Sequence, residues 1–215
     1  MKTTWTQWYK KKGYKVEPEV SFIEKLLRDN PSSKILDIGC GHGRHIIYFA
    51  RKGYNVYGID NNSSAISKLQ KNLSKHGLNA ILKTNDFTKS LPYPRNSFDL
   101  IIATRSIHHT NTKNVKKIFK EIGKILKSRG LLFLQVPDYE GAKKIEKTWI
   151  EYGKPVSHKW SESHTYIPLS GPENGVPHHS FDKEELMQFL RNYEILRLHV
   201  GKKHYHGYCV IAKKL

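Results

Sequence analysis

Apolar positions along this chain follow two alternating rhythms, short continuous runs and stripes at helical spacing. Ile35, Leu36 and Ile38 form a run that suits a strand buried on both faces. Gly39, Gly41 and Gly43 then turn the chain, and Ile46, Ile47, Phe49 and Ala50 continue as one face of a helix that Gly53 stops. The rhythm repeats. Val56 to Asp60 reads as a second strand, Ala65, Ile66, Leu69 and Leu73 as a helix face ending at His76-Gly77, and Ala80 to Lys83 as a third strand. Ser97 to Ala103 predicts a fourth strand, followed by a helix carrying Val115, Ile118, Phe119, Ile122, Ile125 and Leu126 on one face. Ser128-Arg129-Gly130 turns the chain into a fifth strand, Leu131 to Val136. Upstream, Pro18 opens a helix with Ile23, Leu26 and Leu27 inward, which Asn30-Pro31 ends. Downstream, Ala142 to Tyr152 is more weakly helical, and Asp182 to Glu185 caps a helix bearing Leu186, Met187, Phe189 and Leu190. Tyr193 to Val200 and Tyr205 to Ala212 close the chain as a hairpin through Gly201-Lys202-Lys203.

Strands alternating with helices predict an α/β fold. The expected form is a doubly wound, mostly parallel seven-stranded sheet with helices on both faces and a C-terminal antiparallel hairpin. At 215 residues the expectation is a single domain over 1–215. Two stretches fall outside this pattern. Thr3 to Tyr14 places Trp5, Trp8 and Tyr9 on one face beside Lys10, Lys11 and Lys12, and docking against the core is its simplest reading. Gly153 to Ser180 shows neither period and is punctuated by prolines and glycines. Its aromatic residues and histidines argue against disorder, so 153–180 reads as a substrate-side loop.

Composition changes the picture in one respect. Lysine and arginine number 37 against 19 acids, a net charge of +18, which raises the expectation of tRNA or another polyanion as partner. Lysine-rich solvated faces explain the same number, since no basic block extends beyond Lys10 to Lys12. No apolar run approaches the ~20 residues of a membrane span, and the N-terminus lacks a signal-peptide core. Two cysteines, Cys40 and Cys209, give neither a disulfide framework nor a metal spacing. The expected location is cytoplasmic.

The glycine turn carries the chemistry. A dinucleotide fingerprint, G-x-G-x-x-G, needs glycine where Arg44 stands. Asp37, Gly39, Gly41 and Gly43 instead resemble, position by position, the D-x-G-x-G-x-G motif of class I S-adenosylmethionine (SAM) dependent methyltransferases. That resemblance extends over the fold from about Ser33 to Leu215. It implies SAM as cofactor, its methionine part wrapped by the turn, with Cys40 inside it. Asp60, about 20 residues beyond the turn, is where an acid reaches ribose hydroxyls. Asn61 neighbours it, Asp86 would take the adenine amino group, Phe87 would cover the ring, and Thr104 ends strand four beside the cofactor. In the same family a segment such as 1–17 often forms a lid.

Methyl transfer is an in-line displacement, so the protein chiefly aligns the nucleophile, and a base matters when that nucleophile arrives protonated. Ligands of open α/β sheets bind beyond the strands' carboxyl ends, which points to Arg105, His108 and His109 after strand four. Ile107-His108-His109 resembles the motif of a branch holding small-molecule and tRNA wobble-uridine methyltransferases. His109, or His108, is the candidate catalytic residue; Arg105, Asp138, Trp160 and His179 are candidates to face the substrate. The chain lacks N-P-P-Y or D-P-P-Y, a C5-pyrimidine cysteine nucleophile and the aspartate of the ribose 2′-hydroxyl family. His178-His179, His204 and His206 offer no third ligand at a recognisable spacing, so no metal is expected. The leading expectation is a SAM-dependent methyltransferase acting on an oxygen, nitrogen or sulfur of a small molecule. A tRNA methyltransferase and a non-catalytic SAM-binding subunit are its rivals; oligomeric state carries no signal.

Overall fold

Side-chain alternation along the strands divides the interior into two layers. Ile35, Leu100, Ile102, Phe133 and Ile211 pack on one face of the sheet, and their neighbours Leu36, Ile101, Leu132, Leu134 and Val210 pack on the other. A strand buried on both faces cannot spare polar positions, and that explains the continuous apolar runs. The computed structural model describes residues 16–27, 30, 32–144, 158–170, 173–201 and 207–215.

The seven-stranded sheet runs β3-β2-β1-β4-β5-β10-β9. Its parallel strands are β1 (Lys34–Ile38), β2 (Asn55–Asp60), β3 (Ile81–Thr84), β4 (Phe98–Thr104) and β5 (Leu126–Pro137). The final hairpin, β9 (Tyr193–Gly201) and β10 (Gly207–Lys214), enters antiparallel through β10 against β5. Helices α1 (Glu19–Leu27), α2 (Arg44–Arg51) and α3 (Ser63–Lys75) contribute Val20, Ile23, Ile46, Phe49, Leu69 and Leu73 to one layer. Helices α4 (Thr112–Ile125) and α5 (Lys183–Phe189) contribute Val115, Ile118, Ile122 and Leu186 to the other. The doubly wound sheet expected from the alternation is the one observed. Side-chain caps start three helices: Asn62, Asn111 and Asp182 accept from the backbone N–H groups of Ala65, Asn114 and Glu185. No helix among the described residues is long and apolar enough to cross a membrane.

The stretch 153–180 differs from expectation where it is described. It contains β6 (His158–Glu162), β7 (Thr165–Pro168) and β8 (His178–His179), a small antiparallel sheet in the order β6-β7-β8. Strands this short cannot set up a visible period. What builds them is contact between aromatic side chains, with Trp160 and Tyr166 edge to face at 5.5 Å and His178 stacked on Tyr166 at 5.1 Å. Backbone bonds tie this sheet to the main one: His179 N–H to the His108 carbonyl at 2.8 Å and Phe181 N–H to the Pro137 carbonyl at 2.9 Å. The helical turn after β5 begins at Tyr139, ahead of the expected Ala142. The expected lid (Trp5, Trp8, Tyr9), the hairpin turn with His204 and His206, and the end of the 142–152 helix lie outside the described residues.

Gly43, at φ +79 before α2, has no room for a side chain, because a Cβ there would lie 2.3 Å from Leu69 Cδ1. Gly53, at φ +82, has nothing within 4 Å. Gly43→Ala is therefore expected to destabilise the protein by ~3 kcal/mol and Gly53→Ala by ~1 kcal/mol, the difference being overpacking at Leu69. Urea unfolding midpoints of both variants check this; equal losses contradict it.

Candidate active site

The strand order reverses at β1, which pairs with both β2 and β4. A crevice opens beyond the carboxyl ends of these strands, as it does in open α/β sheets generally. The turn after β1 forms its floor. Gly39 and Cys40 both direct their N–H groups to the Ile59 carbonyl, at 2.8 and 3.0 Å. Gly39 sits at φ +73, and a Cβ on it would lie 2.4 Å from Ser106 Cβ, so the segment after β4 is pressed directly onto the turn. Gly41 N–H donates to Asp60 Oδ2, and Asn62 N–H to Asp60 Oδ1, both at 2.8 Å. Burial raises the Asp60 pKa more than these two bonds lower it. A carboxylate offers about four lone-pair sites, so two remain for a ligand's hydroxyls.

One cavity is lined by Gly39, Gly41, Asp60, Asn61, Asp86 and Phe87 on the turn side and by Arg105 and His109 on the side after β4. Eight of the residues singled out from sequence thus meet around one opening. His42, Asn62, Ala65, Thr88, Ser106 and Val176 complete the lining and were not anticipated. Asp86 is held by Thr88, whose N–H and hydroxyl both donate to Oδ1, at 3.0 and 2.6 Å. Burial raises its pKa, and these bonds together with Lys89 more than offset that.

The other singled-out residues do not line the cavity. Cys40 is buried behind the turn, where burial and the nearby Asp37 and Asp60 push its thiol pKa well up. Gly43 packs on Leu69. Asp37 is buried against His45, and Thr104 accepts from Arg44 Nη2 at 3.0 Å. His108 lies buried beneath His109. Asp138 accepts the Gly141 N–H at 3.0 Å, and Trp160 packs on Tyr139 and Tyr166. His179, fully buried, meets Glu185 Oε2 at 3.0 Å and reaches Thr165 and Thr112. Trp160 and His179 tie the small sheet to the rest of the fold.

A buried ion network joins the N-terminal segment to the crevice. Glu17 Oε1 accepts from Arg44 Nη2 and Arg105 Nη2, each at 2.7 Å, and Glu17 Oε2 meets His45 Nε2 at 2.7 Å. His45 Nδ1 faces Asp37 Oδ2 at 3.3 Å. An imidazole between two carboxylates serves both only as a double donor, so His45 is protonated here. Burial opposes that charge, but Asp37 and Glu17 outweigh it and raise the His45 pKa. Burial likewise raises Glu17, yet the His45 hydrogen bond and the charges of His45, Arg44 and Arg105 hold it down to about 2. Glu17, Arg44 and His45 were missed from sequence. One signal was present: a basic residue opening α2, with no acid in its first turn, is unfavourable to the helix dipole. Arg105 adds a second, structural sign, because its φ of +54 is a strained conformation for a side-chain-bearing residue.

After β4 three imidazoles gather. Ring centroids of His108 and His109 lie 4.0 Å apart, and His178 of β8 lies 4.7 Å from His109. His109 Nδ1 sits 3.0 Å from the Ser106 carbonyl, which only accepts, so Nδ1 carries the proton and Nε2 keeps its lone pair. Burial and the His178 charge lower the His109 pKa to about 4, with Glu173 opposing. His108 is pushed well below the ordinary value by burial and by its histidine neighbours. The third histidine that spacing did not offer is supplied by β8.

A parallel sheet with a glycine turn over its switch point, an acid closing β2 and an acid after β3 defines a class of proteins that cradle an adenosyl ligand. The family model described as a methyltransferase domain matches residues 35–130. Phosphoethanolamine N-methyltransferase of Plasmodium falciparum is 35% identical over 116 residues, covering 52% of this chain and 42% of that protein. A SAM-dependent methyltransferase of Methanosarcina mazei superimposes with a TM-score of 0.73 at 28% identity, covering 93% of this chain and 98% of that one. The Burkholderia thailandensis 1,6-didemethyltoxoflavin-N1-methyltransferase shares the fold, at 15% identity and a TM-score of 0.67, with 92% of this chain and 77% of that one covered. The methyltransferase-domain match over residues 35–130 and the similarity to these enzymes support a SAM-dependent methyltransferase. The chain spans less than half the length of the first curated relatives it matches.

The pH dependence of stability follows from the ion network. Glu17 is depressed from 4.5 to about 2, so its contribution is complete above pH 4.5 and is lost as pH falls toward 2. His45 is raised above 6.5, so its share is complete below pH 6.5 and is lost as pH rises through its folded value. Glu17→Gln should cost ~2 kcal/mol at neutral pH and flatten the acid limb of the stability curve between pH 4.5 and 2. Urea midpoints measured across pH test this; an acid limb as steep as that of the parent chain contradicts it.

Proposed function

We propose that this chain transfers the methyl group of SAM to a heteroatom of a small-molecule acceptor. The observation that carries this is the single opening shared by Gly39, Asp60, Asp86 and Phe87 on one side and by Arg105 and His109 on the other. The residues fit the cofactor. Gly39 leaves the floor of the turn bare, Asp60 retains lone pairs for two ribose hydroxyls, and Asp86 with Phe87 presents an acceptor and an aromatic face for the adenine. SAM, when bound, supplies an electrophilic methyl carbon and a thioether leaving group.

The chain's own contribution is alignment and exclusion of water. His109 Nε2 faces the acceptor side and draws the nucleophile into line with the methyl carbon, a positional effect. Arg105, held by Glu17, sets the opposite wall. The names of the Plasmodium and Burkholderia proteins, one acting on phosphoethanolamine and one on 1,6-didemethyltoxoflavin, support a small acceptor here. A net charge of +18 favours a second reading in which tRNA is the acceptor.

Asp60→Ala removes two charge-assisted hydrogen bonds and should weaken SAM binding by about 100-fold in titration calorimetry. Unchanged affinity would take Asp60 out of the cofactor site. Methyl transfer from radiolabelled SAM to total RNA and to a nuclease-treated metabolite pool separates the acceptors. Label is expected in the metabolite fraction and should fall about 100-fold or more with His109→Ala while SAM affinity holds. Label in RNA that disappears with the same substitution would replace the small-molecule reading by the tRNA one.

A further inference from the structure

His108, His109 and His178 converge beside the acceptor end of the crevice, each offering a ring nitrogen within 4.8 Å of the others. One of these rings carries a nitrogen without a partner. His108 is 6% and His178 3% exposed; His108 Nδ1 makes no hydrogen bond, while His178 Nε2 meets a carboxylate, Glu173. A buried ring nitrogen without a partner costs roughly 1–3 kcal/mol, and in native proteins such groups call for an explanation such as an ion. The third nitrogen has the arrangement expected of a ligand. His109 gives its Nδ1 proton to the Ser106 carbonyl, which turns the Nε2 lone pair outward and holds the ring.

The surroundings are built as well. Glu173 Oε2 lies 3.1 Å from His178 Nε2, and Glu173 Oε1 lies 3.8 Å from His109 Nε2, so one carboxylate flanks two of the rings. Its charge offsets part of a divalent cation's. Tyr166 stacks on His178, and the bond from His179 N–H to the His108 carbonyl at 2.8 Å fixes β8 beside the segment after β4. The third ligand is therefore delivered by backbone structure. Around an ion with metal–nitrogen bonds of ~2.1 Å the nitrogens stand ~3.4 Å apart, a contraction that modest ring rotation supplies.

We propose that His108, His109 and His178, flanked by Glu173, bind one divalent first-row transition ion that holds the acceptor of methyl transfer through its heteroatom. Three protein ligands leave a position open, as in catalytic zinc sites, and His109 borders the cavity. The ion site stands on these four residues alone; its role in catalysis rests on the methyl-transfer reading above. An acceptor hydroxyl bound there loses its proton to water at neutral pH, because the ion lowers its pKa. The oxygen lone pair then forms the new O–CH₃ bond while the C–S bond breaks with its electron pair passing to sulfur. The acceptor class is accordingly an alcohol, phenol or enol, and His109 orients it through the ion.

A second grouping of ligand-type residues among the described ones, Glu19, His199 and Cys209, supplies the internal control because it contains a thiol. Cobalt(II) titrated into the full chain, followed by visible absorption, reads binding without any turnover. One ion per chain is expected, with ligand-field bands in the visible and no sulfur charge-transfer band. His178→Gln should abolish the signal, and Glu173→Gln should weaken binding by about 10- to 100-fold. Circular dichroism establishes that both variants fold, and His109→Gln serves as the second ligand variant if His178→Gln does not. No cobalt binding, a sulfur charge-transfer band, or an unchanged spectrum in the ligand variants overturns the inference. SAM titration run in parallel separates the two readings: cobalt bound without SAM affinity sinks the proposed function alone, and SAM bound without cobalt sinks this site alone.

Discussion

The carbonyl of Ile59 and the carboxylate of Asp60 are the anchor on which the crevice depends. Between them they accept the N–H groups of Gly39, Cys40 and Gly41, three successive donors of the turn after β1, and so lock that turn to the end of β2. Donors in an open loop would be solvated and variable in direction; donors tied to a neighbouring strand are not. The tie also brings Gly39 so close to Ser106 that only a hydrogen fits between backbone and side chain. The position of the segment after β4, and with it Arg105 and His109, follows from the turn.

A second layer of control is electrostatic. Glu17, Arg44, Arg105, His45 and Asp37 alternate in charge across three parts of the chain, and all are at least four-fifths buried by side chain. Burying such groups costs several kcal/mol each, which their mutual attraction repays only with good geometry, so the network's main product is orientation rather than stability. It holds the guanidinium of Arg105 against Glu17 and keeps that residue in a left-handed backbone conformation it would not adopt alone. The site gains a fixed wall from a locally unfavourable backbone.

The small sheet closes the opposite side and does so through histidines. His179 spends its ring on Glu185 and two threonines and so secures β8 to α5 and α4. His178, its neighbour, points the other way toward His108 and His109, because successive residues of a strand face opposite sides. One dipeptide thus serves as both fastening and site. The two histidines are alike in sequence and are told apart only by the face each takes.

The order of strands and helices, the helix cap at Asp182, and the glycine turn were all legible in the sequence, since each rests on contacts between residues near one another along the chain or on a period of two or 3.6. So were Asp60 and Asp86, whose places at the ends of β2 and beyond β3 are set by the strands that carry them. Residues joined only by tertiary approach were not legible. Glu17 meets Arg105 across 88 positions, and β6, β7 and β8 are too short to leave a period. Asp138, Trp160 and His179, expected from sequence to face the substrate, lie outside the cavity lining and contact Gly141, Tyr139 and Glu185. His178 joins His108 and His109 through a backbone bond between segments far apart in sequence. Local patterns determined the fold and the glycine turn because short-range sterics and burial decide them; the opposite wall of the crevice was decided by packing between distant segments, which no spacing encodes.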